Sequence, residues 1–360
     1  MRARLEDVCE RGSSNLRQAD VAGRSGDYPI YGASGYIGNV DFYHQELPYV
    51  AIVKDGAGIG RTALLPAKSS VIGTMQYLLP KKNVLPEYLY YVVRYMHLEK
   101  YFSGATIPHI YFRDYKSEEF NLVPVDYQEE IVATLGKIEA IVAARQRQLQ
   151  KLDELVKARF IELFGGIHNS NKYPYKPIQE LTDVISGGTP NRDVNEYWEC
   201  GTIPWVKTTE LQNNLIKEVD EYITEKGLNS SSAKLVPPGT VLIAMYGQGK
   251  TRGMTAYLNI EACTNQACAC ILPSDQINQT FLWKFLILSY DNLRGMAKGG
   301  NQPNLNGTII KNYPILYPPI ELQEQFAAFV EQTDKSKAVI QKALDEAQLL
   351  FDSLMQKYFG

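Results

Sequence analysis

An internal repeat dominates this sequence. Residues 124–165 align without a gap on residues 319–360 at a constant spacing of 195, and ten of the 42 pairs are identical. The identical pairs include Gln128/Gln323, Leu149/Leu344 and Phe164/Phe359. About two or three identities would arise by chance, so the repeat has to be interpreted before any other feature. It predicts a duplicated architecture.

Both copies have the apolar spacing of helices that pair with other helices. In the second copy, apolar residues recur at alternating steps of four and three, at Ile340, Leu344, Ala347, Phe351, Leu354 and Tyr358. The first copy follows the same frame at Ile138, Val142, Leu149, Leu152, Val156 and Leu163. This is the seam of a coiled coil. A lone stripe would more simply pack on its own domain, but two matched stripes favour pairing, and we expect an antiparallel pair.

The segments that precede the two helices repeat one order of elements. Residues 1–123 are β-rich with glycine turns, followed by a helix that begins near Pro86. In the second segment, 240–244 parallels 49–53, and 280–287 parallels 87–94. We therefore divide the chain into a first β-rich domain (1–123), a first helical region (124–166), a second β-rich domain (167–318) and a second helical region (319–360).

Composition restricts the class of protein. A chain of 360 residues is too long for one ordinary core, which agrees with two globular units plus helices. The net charge of −3 gives no global nucleic-acid signal, so a binding surface for DNA would have to be local or completed by a partner.

The cysteines and the apolar runs indicate a cytoplasmic protein. The five cysteines are unevenly spread, and Cys268 and Cys270 alternate in a strand-like run, which is typical of reduced core residues. No apolar stretch is long enough to span a bilayer, and the start of the sequence lacks the apolar core of a signal peptide.

Four short motifs, taken in order, carry a family resemblance. They are Gly-Thr-Ile-Pro-Trp-Val-Lys at 201–207, Gly-Gly-Asn-Gln-Pro-Asn-Leu at 299–305, Pro-Pro-Ile-Glu-Leu-Gln-Glu-Gln at 318–325 and Leu-Phe-Gly at 163–165. With the repeat, they make the whole chain resemble the specificity subunit of a type I restriction-modification system. The resemblance implies an α+β fold: two tandem β-rich target recognition domains joined by two long antiparallel coiled-coil helices, with a pseudo-two-fold internal repeat.

The same resemblance implies a function without catalysis. Such a subunit binds double-stranded DNA, recognises a bipartite target with a non-specific spacer, and holds two methylation subunits, which restriction (translocase/endonuclease) subunits join in the full complex. S-adenosylmethionine, ATP and Mg²⁺ are then expected on the partner subunits, with no cofactor, metal or catalytic residue in this chain. The sequence contains no Asn/Asp-Pro-Pro-Tyr/Phe motif of methyltransferases. The alternative is a stand-alone DNA-binding regulator or adaptor that uses the same fold without a methyltransferase partner.

One motif favours an enzyme instead. Ala-Met-Tyr-Gly-Gln-Gly-Lys-Thr at 244–251 fits a relaxed phosphate-loop pattern after an apolar strand. A true phosphate loop must open a helix. The following residues are typical of a second strand, so we interpret this stretch, and 54–62 in the first domain, as glycine-rich hairpins that bring basic residues to DNA.

The candidate DNA-contacting residues are basic or amide side chains on such loops. Asn and Gln can pair with adenine edges, and Lys and Arg with phosphate or guanine. For each residue an ordinary polar turn is the alternative. The candidates are Lys54, Arg61, Thr106 and His109 in the first domain, and Lys207, Thr208, Thr209, Gln248, Lys250, Arg252, Lys298, Asn301, Gln302 and Asn304 in the second.

Overall fold

The chain forms two compact units. The computed structural model describes residues 1–104, 108–247, 249–297 and 304–360. Met1–Arg147 with Ile340–Gly360 form the first unit, and Gln148–Val339 form the second. Each unit therefore contains one β-rich globule together with a part of each long helix.

The helices of the described residues include two that are far longer than the rest. The helices are Leu5–Val8 (α1), Gln18–Val21 (α2), Pro86–Tyr95 (α3), Phe112–Tyr115 (α4), Val125–Phe164 (α5), Glu225–Asn229 (α6), Gln279–Leu288 (α7), Tyr290–Gly295 (α8), Gly307–Lys311 (α9) and Ile320–Phe359 (α10). Helices α5 and α10 are the two copies of the repeat, each with 40 residues. Helix α5 ends at Phe164 because Gly165, with φ of 80°, adopts the left-handed conformation that closes many helices.

The described residues of the first unit form three small sheets. Its strands are Arg2–Arg4 (β1), Cys9–Ser13 (β2), Tyr28–Gly32 (β3), Gly35–Val40 (β4), Tyr49–Val53 (β5), Thr62–Leu65 (β6), Ser70–Val71 (β7), Met75–Pro80 (β8) and Glu119–Asn121 (β9). The main sheet has the order β2-β8-β5-β6, a second sheet the order β4-β3-β7, and β1 pairs with β9.

The second unit repeats this topology with one added strand. Its strands are Tyr175–Pro177 (β10), Val184–Ser186 (β11), Ile203–Val206 (β12), Asn214–Ile216 (β13), Glu221–Ile223 (β14), Val241–Ala244 (β15), Thr255–Leu258 (β16), Cys263–Thr264 (β17), Cys268–Ile271 (β18) and Pro314–Leu316 (β19). The main sheet has the order β11-β18-β15-β16-β13, the second β14-β12-β17, and β10 pairs with β19. Strand β12 pairs with β17 in parallel, as β3 does with β7. The predicted repeat of the globules is therefore confirmed.

Each unit builds its main core from a sheet, a ten-residue helix and parts of the two long helices. In the first, Val50 of β5 and Tyr88 of α3 share a cluster with Leu135 of α5 and Phe359 of α10. In the second, Phe160 and Phe164 of α5 contact Phe281 of α7 and Phe326 of α10. These aromatic side chains lie off the predicted seam, and they fasten the helix pair to its globule.

The long helices pack in antiparallel within each unit. In the second unit, Asp153 of α5 accepts a hydrogen bond of 2.5 Å from Lys337, while Phe160, further along α5, meets Phe326, an earlier residue of α10. In the first, Ile131 and Ile138 share a core cluster with Phe359 and Phe351. Every predicted seam residue is buried or half-buried. The predicted α+β fold class with two β-rich domains and two long antiparallel helices is confirmed.

Candidate nucleic-acid interface

The first glycine-rich hairpin forms as predicted. Strands β5 and β6 pair in antiparallel, and the amide of Val53 donates to the carbonyl of Arg61 at 2.9 Å. Between them, residues 54–61 form the first hairpin loop. Gly56 and Gly60 have φ of 94° and 81°, which a side chain would disfavour, so the tight loop explains these two glycines. Lys54 is half-buried and Arg61 is exposed.

The second hairpin also forms, which excludes the phosphate-loop interpretation. Strands β15 and β16 pair in antiparallel, and the segment between them, described at residues 245–247 and 249–254, is the second hairpin loop. After Lys250 the chain passes through residues 251–254 into strand β16 and does not open a helix. Without a helix N-terminus after the glycines, the geometry that binds nucleotide phosphates is missing here.

A second segment crosses the base of each hairpin loop at a matched position. The amide of Ile110 donates to the carbonyl of Lys54 at 3.0 Å, and the amide of Leu305 donates to the carbonyl of Met245 at 3.0 Å. These bonds make Asp55 of the first unit equivalent to Tyr246 of the second, and His109 equivalent to Asn304. The two units therefore build one crossing from the same backbone bonds but from different side chains.

In the first unit this crossing contains a carboxylate–imidazole pair. Nδ1 of His109 lies 2.6 Å from Oδ1 of Asp55, and Nζ of Lys54 lies 3.6 Å from Oδ2 of the same carboxylate. The ring of His109 stacks on that of Tyr111, with centroids 6.3 Å apart, and the guanidinium of Arg113 lies 4.9 Å from the centre of the Tyr111 ring. The result is a mixed basic and aromatic surface, a combination suited to phosphates and bases.

A cavity of about 310 Å³ lies beside the first hairpin loop. Its lining includes Asp55, Gly58 and Arg61 from the loop and Gln18 and Ser34 from neighbouring segments. The lining is of mixed polar and apolar character, and the cavity lies along one side of the loop.

In the second unit, one arginine side chain donates hydrogen bonds to backbone carbonyls of the second hairpin loop. The Arg294 guanidinium donates to the carbonyls of Gly249 at 2.9 Å, Lys250 at 3.3 Å and Arg252 at 2.6 Å. The Tyr290 hydroxyl adds a bond of 2.6 Å to the Lys250 carbonyl. The Lys250 side chain is exposed, so the clamp fixes the backbone and leaves this charge on the surface.

The predicted residues Lys207, Thr208 and Thr209 lie beside acidic side chains that offset the charge of the lysine. Nζ of Lys207 lies 3.0 Å from Glu221 and 3.4 Å from Asp220. Its hydrogen bond with Glu221 raises the pKa of Lys207. Burial opposes ionisation of Glu221, but hydrogen bonds from Lys207 and Arg192 outweigh it and lower the pKa of this carboxyl. Thr209 is exposed and Thr208 half-buried, so Thr209 is the more accessible of the two hydroxyls.

The sequence-based candidates divide into three groups. Lys54, Arg61, His109, Lys250, Arg252 and Asn304 lie on or against the two hairpin loops. Lys207, Thr208 and Thr209 lie elsewhere, at the end of β12. Thr106, Gln248, Lys298, Asn301 and Gln302 lie outside the described residues, so their assignment stays a prediction.

Three residues of this surface could not be identified from the sequence. Asp55 and Tyr246 were not singled out because their relation to His109 and Asn304 depends on the fold, and Arg294 because its three acceptors are backbone carbonyls. The described part of the chain has no group of three or more His, Cys, Asp or Glu side chains that could hold a metal ion. Among the described helices, none combines the length and apolar character needed to cross a membrane.

Comparison with known proteins identifies the family. The model of the type I restriction modification DNA specificity domain matches residues 1–154 and 171–348. The chain belongs to this family. It is 24% identical over 210 residues to the type I restriction enzyme EcoR124I/EcoR124II specificity subunit of Escherichia coli, a match that covers 58% of this chain and about half, 52%, of that relative.

Further similarities cover more of the chain. Identity to the type I restriction enzyme MjaIX specificity subunit of Methanocaldococcus jannaschii is 21% over 325 residues, covering 84% of this chain and 74% of the relative. Among solved structures, the type I restriction-modification S subunit of M. genitalium has the same fold, with a TM-score of 0.63, 15% identity, and coverage of 100% of this chain and 96% of that one. A chain from a structure of type I R-M complex assembly gives a TM-score of 0.51 at 16% identity, covering 99% and 97%.

Proposed function

We propose that this chain is the sequence-specific DNA-recognition subunit of a type I restriction-modification complex. Its two units would each recognise one half of a bipartite target in double-stranded DNA, with a non-specific spacer between the halves. The supporting observation is the matched crossing of the hairpin loops: the backbone bonds of Ile110 and Leu305 are the same, whereas the side chains around them differ. A constant backbone with divergent side chains fits two recognition modules that bind different sequences.

The proposal assigns catalysis to partners. Two methylation subunits, and restriction (translocase/endonuclease) subunits in the full complex, would carry S-adenosylmethionine, ATP and Mg²⁺, while this chain stays non-catalytic in the cytoplasm. The cysteines of the described residues are free, and four of them are buried, which supports a reducing compartment. The named relatives are specificity subunits of restriction enzymes, which favours this function over a stand-alone regulator.

Genome methylation provides the main test. The chain is expressed with its methylation subunit in a host that lacks other methyltransferases, and modified positions are located by sequencing. We expect modified sites that share two short sequences separated by unspecified bases. A contiguous motif, or methylation that persists without this chain, would refute the proposal.

A second test uses the charge of the second hairpin loop. Lys250→Ala should weaken binding of the complex to target DNA and lower the slope of log affinity against log salt by about one, since one phosphate contact is lost. Lys335→Ala is the matched control, because Lys335 is an exposed lysine of α10 that pairs with Glu331 at 2.8 Å. If the two substitutions had equal effects on DNA binding, the second hairpin loop would not be part of the DNA-binding interface.

A further inference from the structure

The Asp55–His109 pair determines which ring nitrogen of the histidine donates and which accepts. Nδ1 of His109 faces Oδ1 of Asp55 at 2.6 Å. A carboxylate only accepts, so the proton of a neutral imidazole is held on Nδ1, as in the carboxylate–histidine pairs that fix a tautomer elsewhere. The other ring nitrogen, Nε2, is then an acceptor. The side chain of His109 is 37% exposed, so part of this ring reaches the surface.

Backbone hydrogen bonds fix the segment that carries His109. The amide of His109 donates to the carbonyl of Ser103, and the amide of Ser103 donates back to His109, both at 2.8 Å. The amide of Gly56 also donates to the carbonyl of Pro108 at 3.0 Å. A recognition group held in this way loses little conformational entropy on binding, which favours a specific contact over an adaptable one.

The charge of the carboxylate is offset locally. Nζ of Lys54 lies 3.6 Å from Oδ2 of Asp55, on the oxygen that does not face His109. A lone carboxylate would repel the phosphates of DNA. With Lys54 beside it, Asp55 can orient the imidazole without adding a net negative charge to the surface.

We propose that His109 selects one base of the half-site recognised by the first unit, with Asp55 as its positioning residue. This inference rests on the proposed function and deepens it. An acceptor at Nε2 is complementary to the exocyclic amino group of adenine or cytosine in the major groove, and it opposes O6 of guanine and O4 of thymine. His109 therefore favours adenine or cytosine on the strand that it approaches.

The second unit supports a role in base selection for this position. At the matched crossing it has Tyr246 in place of Asp55 and Asn304 in place of His109. An amide can both donate and accept, so Asn304 presents a different hydrogen-bonding pattern from a fixed imidazole. The position thus differs between the two units in the property that distinguishes one base from another.

The test is the methylation pattern of the full chain assembled with its methylation subunits. Genomic DNA of the host serves as substrate, and four proteins are compared: wild type, His109→Ala, Asp55→Asn and Asn304→Ala. In His109→Ala, we expect the preference for adenine or cytosine over guanine or thymine to fall by about tenfold at one position of one half-site. Every other position, and the whole second half-site, should stay unchanged.

The Asp55→Asn variant separates orientation from mere presence of the ring. Lys54 keeps an oxygen beside it, so the new amide turns its NH₂ towards Nδ1 and moves the proton to Nε2. The preference at the same position should weaken by about tenfold or reverse towards guanine or thymine. Asn304→Ala should alter the other half-site only, and it serves as the matched control.

The outcomes distinguish this inference from the proposed function. If the wild type yields no bipartite motif, the proposed function itself fails. If it yields one but His109→Ala and Asp55→Asn both leave each base preference unchanged, the inference is overturned and the proposed function stands. A uniform loss of methylation in His109→Ala, with an unchanged motif in Asp55→Asn, also overturns it, because the ring would then be structural or would contact only phosphate.

Discussion

At the scale of single residues, the repeat conserves a buried glutamine with its contacts. Gln128 is fully buried; it donates to the Val123 carbonyl at 2.8 Å and accepts from the Leu85 amide at 2.9 Å. Gln323 donates to the Pro318 carbonyl at 2.8 Å and accepts from the Asn278 amide at 2.9 Å. In each unit the side chain thus joins the entry of a long helix to the start of the ten-residue helix.

Replacing these glutamines should destabilise one unit at a time. Gln128→Met fits the volume but removes the hydrogen bonds to the Leu85 amide and to the Asn83 and Val123 carbonyls, which costs about 1–3 kcal/mol. Gln323→Met should cost a similar amount in the second unit. Thermal unfolding followed by hydrogen exchange assigns each loss to its unit. Gln332→Met is the control, because Gln332 is exposed on the same helix as Gln323. If Gln332→Met lost stability and the other two variants did not, the buried glutamines would not have this stabilising role.

At the scale of elements, the helices and hairpins that depend on local or periodic sequence patterns could be predicted from the sequence. Both long helices and their seam follow from apolar spacing, and both hairpins follow from glycines between apolar strands, as at Gly56 and Gly60. The Asp55–His109 pair was not predictable in this way. Its members are 54 positions apart in the chain, and only the crossing at the base of the hairpin loop brings them together. The phenylalanines that join helix to globule were missed because they lie off the predicted seam.

The Arg294 clamp makes a prediction about one such element. Arg294→Lys keeps the charge but cannot bond to three carbonyls at once, so the second hairpin loop should lose its fixed backbone. We expect methylation to fall about tenfold because the second half-site is bound more weakly. The base sequences recognised at both half-sites should stay the same. Arg4→Lys is a suitable control, because Arg4 is an exposed arginine of the first unit that lies on β1, outside the candidate interface, and pairs with Glu119. Unchanged methylation, or faster hydrogen exchange confined to the first unit, would exclude the clamp.

At the scale of the whole molecule, the first unit is discontinuous in sequence. Its core includes Phe351, Met355 and Phe359, which follow the entire second unit in the chain. The ring of Phe359 lies 5.4 Å from that of Tyr88 and 6.1 Å from that of Tyr95. The fold of residues 1–147 is thus completed by residues 340–360.

A single substitution tests this dependence. Phe359→Ala should remove about 3–5 kcal/mol from the stability of the first unit, since a buried ring is replaced by a methyl group. Hydrogen exchange should accelerate in Met1–Arg147 and stay unchanged in the described parts of the second unit. Leu349→Ala is the control, since Leu349 is 72% exposed on the same helix. Unaltered exchange in Met1–Arg147 would show that the first unit does not need this ring.

The discontinuity of the first unit also sets an order for folding on the ribosome. Domains usually fold as they emerge, N-terminal first, at about 5–20 residues per second. Here the whole second unit, Gln148–Val339, is synthesised while the core of the first unit still lacks Phe351, Met355 and Phe359. At that rate, the residues from Gln148 to Phe351 take roughly ten to forty seconds to synthesise after Arg147 has been added. During synthesis, the upstream domain therefore stays unfinished until the last turns of α10 are available, and its exposed apolar side chains are the part of the nascent chain that a chaperone would need to protect.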